Sequence, residues 1–290
     1  MRLIELAAGC LLVSGIAFAE SAQKTVTGMA EVPAPAVYYE VAGQGSPVIL
    51  IHGGQLDCRI WDDQFPVLAR SHRVVRYDVR GFGRSPAATA PWSCTRDLLS
   101  LMDQLGIERA TLVGLSLGGR IAIDFALDHP GRVAALVVAG PGLSGFDWSD
   151  DGRENYMKIL AAAQAGDLEQ AAELWLQSPY MAPAMENAAL AARLRALARE
   201  NARCWLDNPL LERDLAPPAA GRLGEIKAPT LVIVGERDIP DIQRIVTRIA
   251  SDVPGARKIV VRGAGHMVNM EKPEDFTRAL VDFLQARSGS

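Results

Sequence analysis

The chain has 290 residues, 49% hydrophobic and 22% charged, a composition of folded globular proteins that excludes extended disorder. Lys and Arg number 30 against 34 Asp and Glu, for a net charge of −4 that lacks the basic excess of a nucleic-acid-binding surface. Four cysteines, none in a C-x-x-C or His/Cys cluster, exclude a disulfide scaffold and a structural zinc site.

Residues 1–19 read as a secretory signal peptide. Arg2 gives a positive start, Leu6–Phe18 is apolar or small, and Ala17-Phe18-Ala19 is an A-x-A site ahead of Glu20. The apolar run of about 13 residues falls short of the roughly 20 that span a bilayer. Glu5 offsets Arg2, and Leu6-Ala7-Ala8-Gly9-Cys10 only approximates a lipidation site. The expected location is the periplasm or the outside of the cell. There Cys58, Cys94 and Cys204 could form at most one disulfide, and three buried free thiols are an equal alternative.

From about Ala36 short apolar runs alternate with helical periodicity, the pattern of βαβ units and a mostly parallel, doubly wound α/β sheet. The expected strands are Val37–Val41, Val48–Ile51, Arg73–Tyr77, Ala110–Val113, Val133–Val138, Thr230–Val234 and Lys258–Val261. Helices are expected over Ile60–Ala69, Thr95–Leu105, Leu117–Asp128, Ile239–Ala250 and Glu274–Arg287. The alternation stops between Gly142 and Arg222, where Ala, Leu and Glu dominate and helical runs cover Met157–Ala165, Leu168–Leu176 and Asn187–Ala202. This stretch reads as a helical insertion within one domain spanning residues 20–290. Its rings, Trp148, Trp175, Trp205, Tyr156 and Tyr180, are expected to pack it onto the sheet, a placement compatible with an apolar ligand pocket.

Gly114-Leu115-Ser116-Leu117-Gly118 is a G-x-S-x-G motif lying between an expected strand and an expected helix. Glycines there let the chain turn sharply and present the Ser116 hydroxyl. A serine needs a base, and the sequence offers His52, His72, His129 and His266. His129 falls in a helix-ending turn and His72 in a loop. His266, in Gly263-Ala264-Gly265-His266, follows the last strand, on the edge of an open sheet where ligands bind. The base needs a carboxylate, and Asp238, after Gly235-Glu236-Arg237, is favoured over Glu236. Ile51-His52-Gly53-Gly54 follows another strand, and its amides can face an oxyanion. The two donors are assigned to Gly54 and Leu117, with Gln55 as substitute if the loop is shifted by one residue. His52 is expected to brace the loop.

With these residues the chain resembles the α/β-hydrolase superfamily, in the branch similar to 3-oxoadipate enol-lactonases, small esterases and cofactor-free haloperoxidases. The likeness covers about residues 36–287. It is carried by Leu50–Gly54, Tyr77-Asp78-Val79-Arg80-Gly81-Phe82-Gly83-Arg84-Ser85, Gly114–Gly119, Gly235–Asp238, and Gly263–His266 with Glu271-Lys272-Pro273. The resemblance implies an α/β-hydrolase fold whose helical cap is the 142–222 insertion, and a supporting role for the Asp78–Ser85 loop. It also implies Ser116, Asp238 and His266 as a triad acting on a small-molecule ester or lactone. No cofactor, metal, nucleic acid or membrane span is implied. The rate is then expected to rise with pH as the imidazole loses its proton. Carbon–carbon bond hydrolysis and perhydrolysis use the same triad. A binding protein that keeps the fold without turnover, and an acyltransferase, are the other expectations.

Overall fold

The computed structural model describes residues 24–32, 36–207, 211–213 and 215–288, so the expected signal peptide lies outside the described residues. The strands are β1 (Val26–Ala30), β2 (Val37–Ala42), β3 (Pro47–Ile51), β4 (Arg73–Tyr77), β5 (Ala110–Leu115), β6 (Val133–Ala139), β7 (Thr230–Gly235) and β8 (Arg257–Val261). They form one sheet in the order β1-β2-β4-β3-β5-β6-β7-β8. Only the β1–β2 and β2–β4 pairings are antiparallel, so the mostly parallel sheet is as expected. Every residue of β5 and β7 is buried, because helices cover both faces and the apolar runs need no alternation.

The flanking helices are α1 (Phe65–Ala69), α2 (Cys94–Gln104) and α3 (Leu117–Asp128), and, after β7, α9 (Pro240–Asp252), α10 (Val268–Glu271) and α11 (Pro273–Ser288). Between β6 and β7 lie α4 (Asp150–Gln164), α5 (Leu168–Leu176), α6 (Ala182–Met185), α7 (Ala188–Glu200) and α8 (Cys204–Asp207). The helix expected over Ile60–Ala69 is divided into a 3₁₀ turn at Cys58–Trp61 and α1. Pro66 is the reason. Inside one continuous helix it would remove a hydrogen bond and clash with the preceding turn, whereas in the first turn of α1 it costs nothing. Helix α4 starts well before Met157, because Ser149 caps it by accepting the Gly152 amide and Asp150 and Asp151 sit at its positive end.

Helix α7 is fixed to the sheet domain by polar contacts. Asn201 Nδ2 donates to Asp57 Oδ2 at 2.8 Å, the Gly83 amide donates to Asn201 Oδ1 at 2.6 Å, and Arg193 reaches Asp62 and Asp63. Burial pushes the Asp57 carboxyl up, but hydrogen bonds from the Arg59 and Asn201 side chains and the Arg59 amide outweigh it and hold it at about 2. A folded value below the unfolded one stabilises the fold above about pH 4, and that contribution is lost as pH falls towards 2. Urea titrations should therefore show the wild type losing roughly 2 kcal/mol more than Asp57→Asn between pH 5 and pH 2.

Cys58, Cys94 and Cys204 are buried and no disulfide joins them, so the alternative of three packed cysteines is the one found. Among the described residues no helix is long and apolar enough to cross a membrane.

Candidate active site

Ser116 stands between β5 and α3 with φ +54° and ψ −111°, a region that costs a non-glycine residue about 1–3 kcal/mol. The flanking glycines permit it. A Cβ on Gly114 would lie 2.1 Å from Gly118 O, and one on Gly118 would lie 2.1 Å from Ile51 O. The turn is held by the Ser116 amide donating to Ala139 O at 2.9 Å and by Ser116 O accepting the Gly142 and Arg120 amides.

Strands β4 and β5 lie on opposite sides of β3, so the chain reverses its direction of winding there, and a crevice opens beyond the strand ends. Register pairs Ile51 with Gly114, which sets residues 52–55 beside the elbow. His52 is fully buried. Its Nε2 lies 2.9 Å from the Val79 amide and so must accept, which leaves Nδ1 to donate to Gly53 O at 2.7 Å. A ring committed on both sides, and held neutral by burial, is a brace and not a base. Gly54, Gln55 and Leu117 all line the cavity. Among the described residues the Gly54 and Gln55 amides donate to no protein acceptor. Leu117 is the first residue of α3, where helix amides are unpaired and the dipole is positive.

Asp238 follows β7 and His266 follows β8. The Asp238 carboxylate oxygens lie 3.0 and 3.1 Å from His266 Nδ1, and both residues are buried. Glu236 is turned to another task, accepting the Gly263 amide at 2.9 Å. His266 lines the same cavity as Ser116, a space of about 480 Å³. No hydrogen bond joins the two side chains among the described residues, and such bonds commonly close only around substrate. His72 pairs with Ser71 and His129 packs on Phe125, both away from the cavity.

Two further residues hold the pair in place. Gly140, at φ +45°, backs directly onto it: a Cβ there would lie 3.0 Å from Asp238 Oδ2 and 3.2 Å from His266 Nδ1. Glu271 clamps the chain on both sides of His266. Its Oε2 accepts the Gly265 amide at 2.7 Å and its Oε1 the Met267 amide at 2.9 Å. Burial pushes its carboxyl up, and the two amides partly offset this. Glutamine can offer only one of those acceptors. Glu271→Gln should lower kcat by about 10- to 100-fold with KM nearly unchanged, because the imidazole is displaced and the cavity is not. Steady-state kinetics beside a melting curve separate this from general destabilisation.

Asp57, Cys58 and Asp78 are the one group among the described residues whose ligand atoms converge as a metal site would need. Their carboxylates are already taken by Arg59, Asn201 and the amides of Cys58 and Arg84, so the cluster is a brace for the 78–85 loop.

An elbow serine, a carboxylate-paired histidine and an amide-lined crevice at the carboxyl edge of one sheet are the parts of a hydrolytic site. The chain belongs to the α/β-hydrolase family, whose fold it matches over residues 46–273, and it is a hydrolase. It is 31% identical to the 2-hydroxy-6-oxo-6-phenylhexa-2,4-dienoate hydrolase of Comamonas testosteroni over 271 residues, 87% of this chain and 92% of that one. Its fold is similar to that of the enol-lactonase from Burkholderia xenovorans LB400, at 26% identity and a TM-score of 0.75, covering 89% of this chain and all of the other. A thermophilic esterase from Thermogutta terrifontis is also similar, with 26% identity, a TM-score of 0.75, and coverage of 91% and 98%.

Proposed function

We propose that this chain hydrolyses carboxylic esters or lactones through an acyl-enzyme on Ser116. His266 takes the Ser116 proton as Oγ attacks the carbonyl, and Asp238 fixes the imidazole tautomer and steadies the imidazolium. The amides of Gly54 and Leu117 hold the oxyanion. His266 then protonates the leaving alkoxide and activates water for deacylation. The observation that carries this reading is the pairing of Asp238 with His266 Nδ1 on the wall of the cavity that the strained Ser116 also lines. Intact mass after treatment with a fluorophosphonate tests it: one adduct per chain is expected, and a folded protein that takes none would favour the binding-protein reading. The composition of residues 1–19 supports export of the chain to the periplasm or beyond.

A second reading is carbon–carbon bond hydrolysis, favoured by the relative named for 2-hydroxy-6-oxo-6-phenylhexa-2,4-dienoate. A compound so named contains no ester linkage, so its hydrolysis breaks a carbon–carbon bond. Turnover of that dienoate beside a panel of esters and lactones separates the two.

A further inference from the structure

The cavity wall carries its own statement about charge. It is largely aromatic and aliphatic on the side formed by α4, α5 and α8, with Tyr156, Ile159, Trp175 and Trp205 facing the space beside Ser116. Tyr156 packs on Trp205 with ring centroids 5.6 Å apart, and Tyr180 sets its ring edge to face with His266 at 4.9 Å. Two arginines reach this wall, Arg120 and Arg153, and each is already matched by carboxylates. Arg120 donates to Glu212 Oε1 at 2.5 Å and lies 3.6 Å from Asp124. Glu212 is placed for this by its neighbours: the Trp92 amide donates to Leu211 O and the Arg213 amide to Trp92 O, at 3.0 and 2.8 Å. Arg153 is paired with Asp147 at 3.0 Å and Asp150 at 3.2 Å.

A groove that adjoins the cavity repeats the message. It measures about 640 Å³ and shares Trp148, Arg153 and Tyr180 with the cavity. It is lined by Asp147, Asp150, Asp151 and Asp241 against Arg153 and Arg244, and Arg244 is itself bound to Asp241 at 2.5 Å. The excess charge along this groove is negative, four aspartates against two arginines. A substrate bearing a carboxylate away from the scissile bond is repelled on approach, and once inside it is desolvated against a wall whose cations are spoken for.

We infer that the site takes uncharged esters or lactones with an apolar acyl group and rejects those whose acyl chain ends in a carboxylate. The inference rests on the ester or lactone reading above and narrows it. It also weighs against the dienoate as substrate, since that molecule would have to seat a carboxylate in the same space.

The test is a matched pair, p-nitrophenyl valerate and mono-p-nitrophenyl glutarate, which differ by a terminal methyl against a terminal carboxylate. At pH 8 and low salt, kcat/KM for the valerate is expected to exceed that for the glutarate by more than about 10-fold and near 100-fold. Capping the glutarate as its methyl ester should restore most of the rate. Glu212→Gln, which releases Arg120 from its nearest carboxylate, should close the gap by raising the glutarate rate. A gap below about 10-fold in the wild type overturns the inference. So does a methyl-capped glutarate that stays as slow as the acid. Should Glu212→Gln fail to fold, the capped and uncapped esters on the wild type still decide the matter. Fluorophosphonate labelling of the same preparation keeps the two readings apart: a labelled enzyme indifferent to the carboxylate overturns the charge selection alone. An unlabelled one that turns over neither ester overturns both.

Discussion

Ser116→Ala is expected to abolish the fluorophosphonate adduct and to cut turnover of any accepted ester by roughly 10⁴- to 10⁶-fold, with the melting temperature unchanged or higher. The loss is large because the other hydroxyls on the cavity wall, those of Tyr156 and Tyr180, are phenols that burial pushes further from ionisation, and Cys58, Cys94 and Cys204 lie buried in the fold. A stable variant follows from the backbone, since the strain at φ +54° does not depend on Oγ and the alanine makes no new contact. His266→Ala should cost about as much, and the double variant little more than either alone, because a nucleophile without its base and a base without its nucleophile are equally idle. Additive losses would mean that the two side chains do not act as a unit.

Asp238→Asn should lower kcat by about 10⁴-fold while binding of the ester changes little. The amide keeps the shape of the carboxylate but presents an N–H to His266 Nδ1, which favours the wrong tautomer and removes the charge opposite the imidazolium. Glu236→Gln, two residues earlier, should stay within about 3-fold of wild type, because its carboxylate serves the Gly263 amide on the surface of the loop. A result in which Glu236 matters more than Asp238 would reassign the acid. The pair therefore tests the geometry and not merely the presence of an acidic residue after β7.

The central strands β3, β5, β6 and β7 are legible in the sequence because they are buried on both faces and so are written as largely apolar runs. Strand β1, at one edge and mostly exposed, is not. Val-Thr-Gly-Met-Ala has no such run, and its place in the sheet depends on a partner: a Cβ on Gly28 would lie 2.6 Å from the Tyr39 hydroxyl, so the tyrosine covers the glycine across the strands. No local signal announces that. The site divides the same way. Ser116, Asp238 and His266 can be read because each follows a strand and carries chemistry that few residue types supply. Gly140 cannot, since its role is defined only by the Asp238–His266 pair behind which it stands. The bond from Asn201 to Asp57 joins residues 144 positions apart and has no trace in either neighbourhood. Glu271 lies between these cases: Glu271-Lys272-Pro273 is conspicuous in the sequence, but its clamp on the two amides flanking His266 appears only in three dimensions.

The positive φ of Ser116 also bears on what the serine costs the fold. Glycine would occupy that position at ease, so a protein that merely held a ligand would gain durability by exchanging the serine away. A side chain of any kind is thus present there against a standing thermodynamic preference for glycine. On the role proposed for Ser116, the change to glycine that would make this protein inert would also make it sturdier.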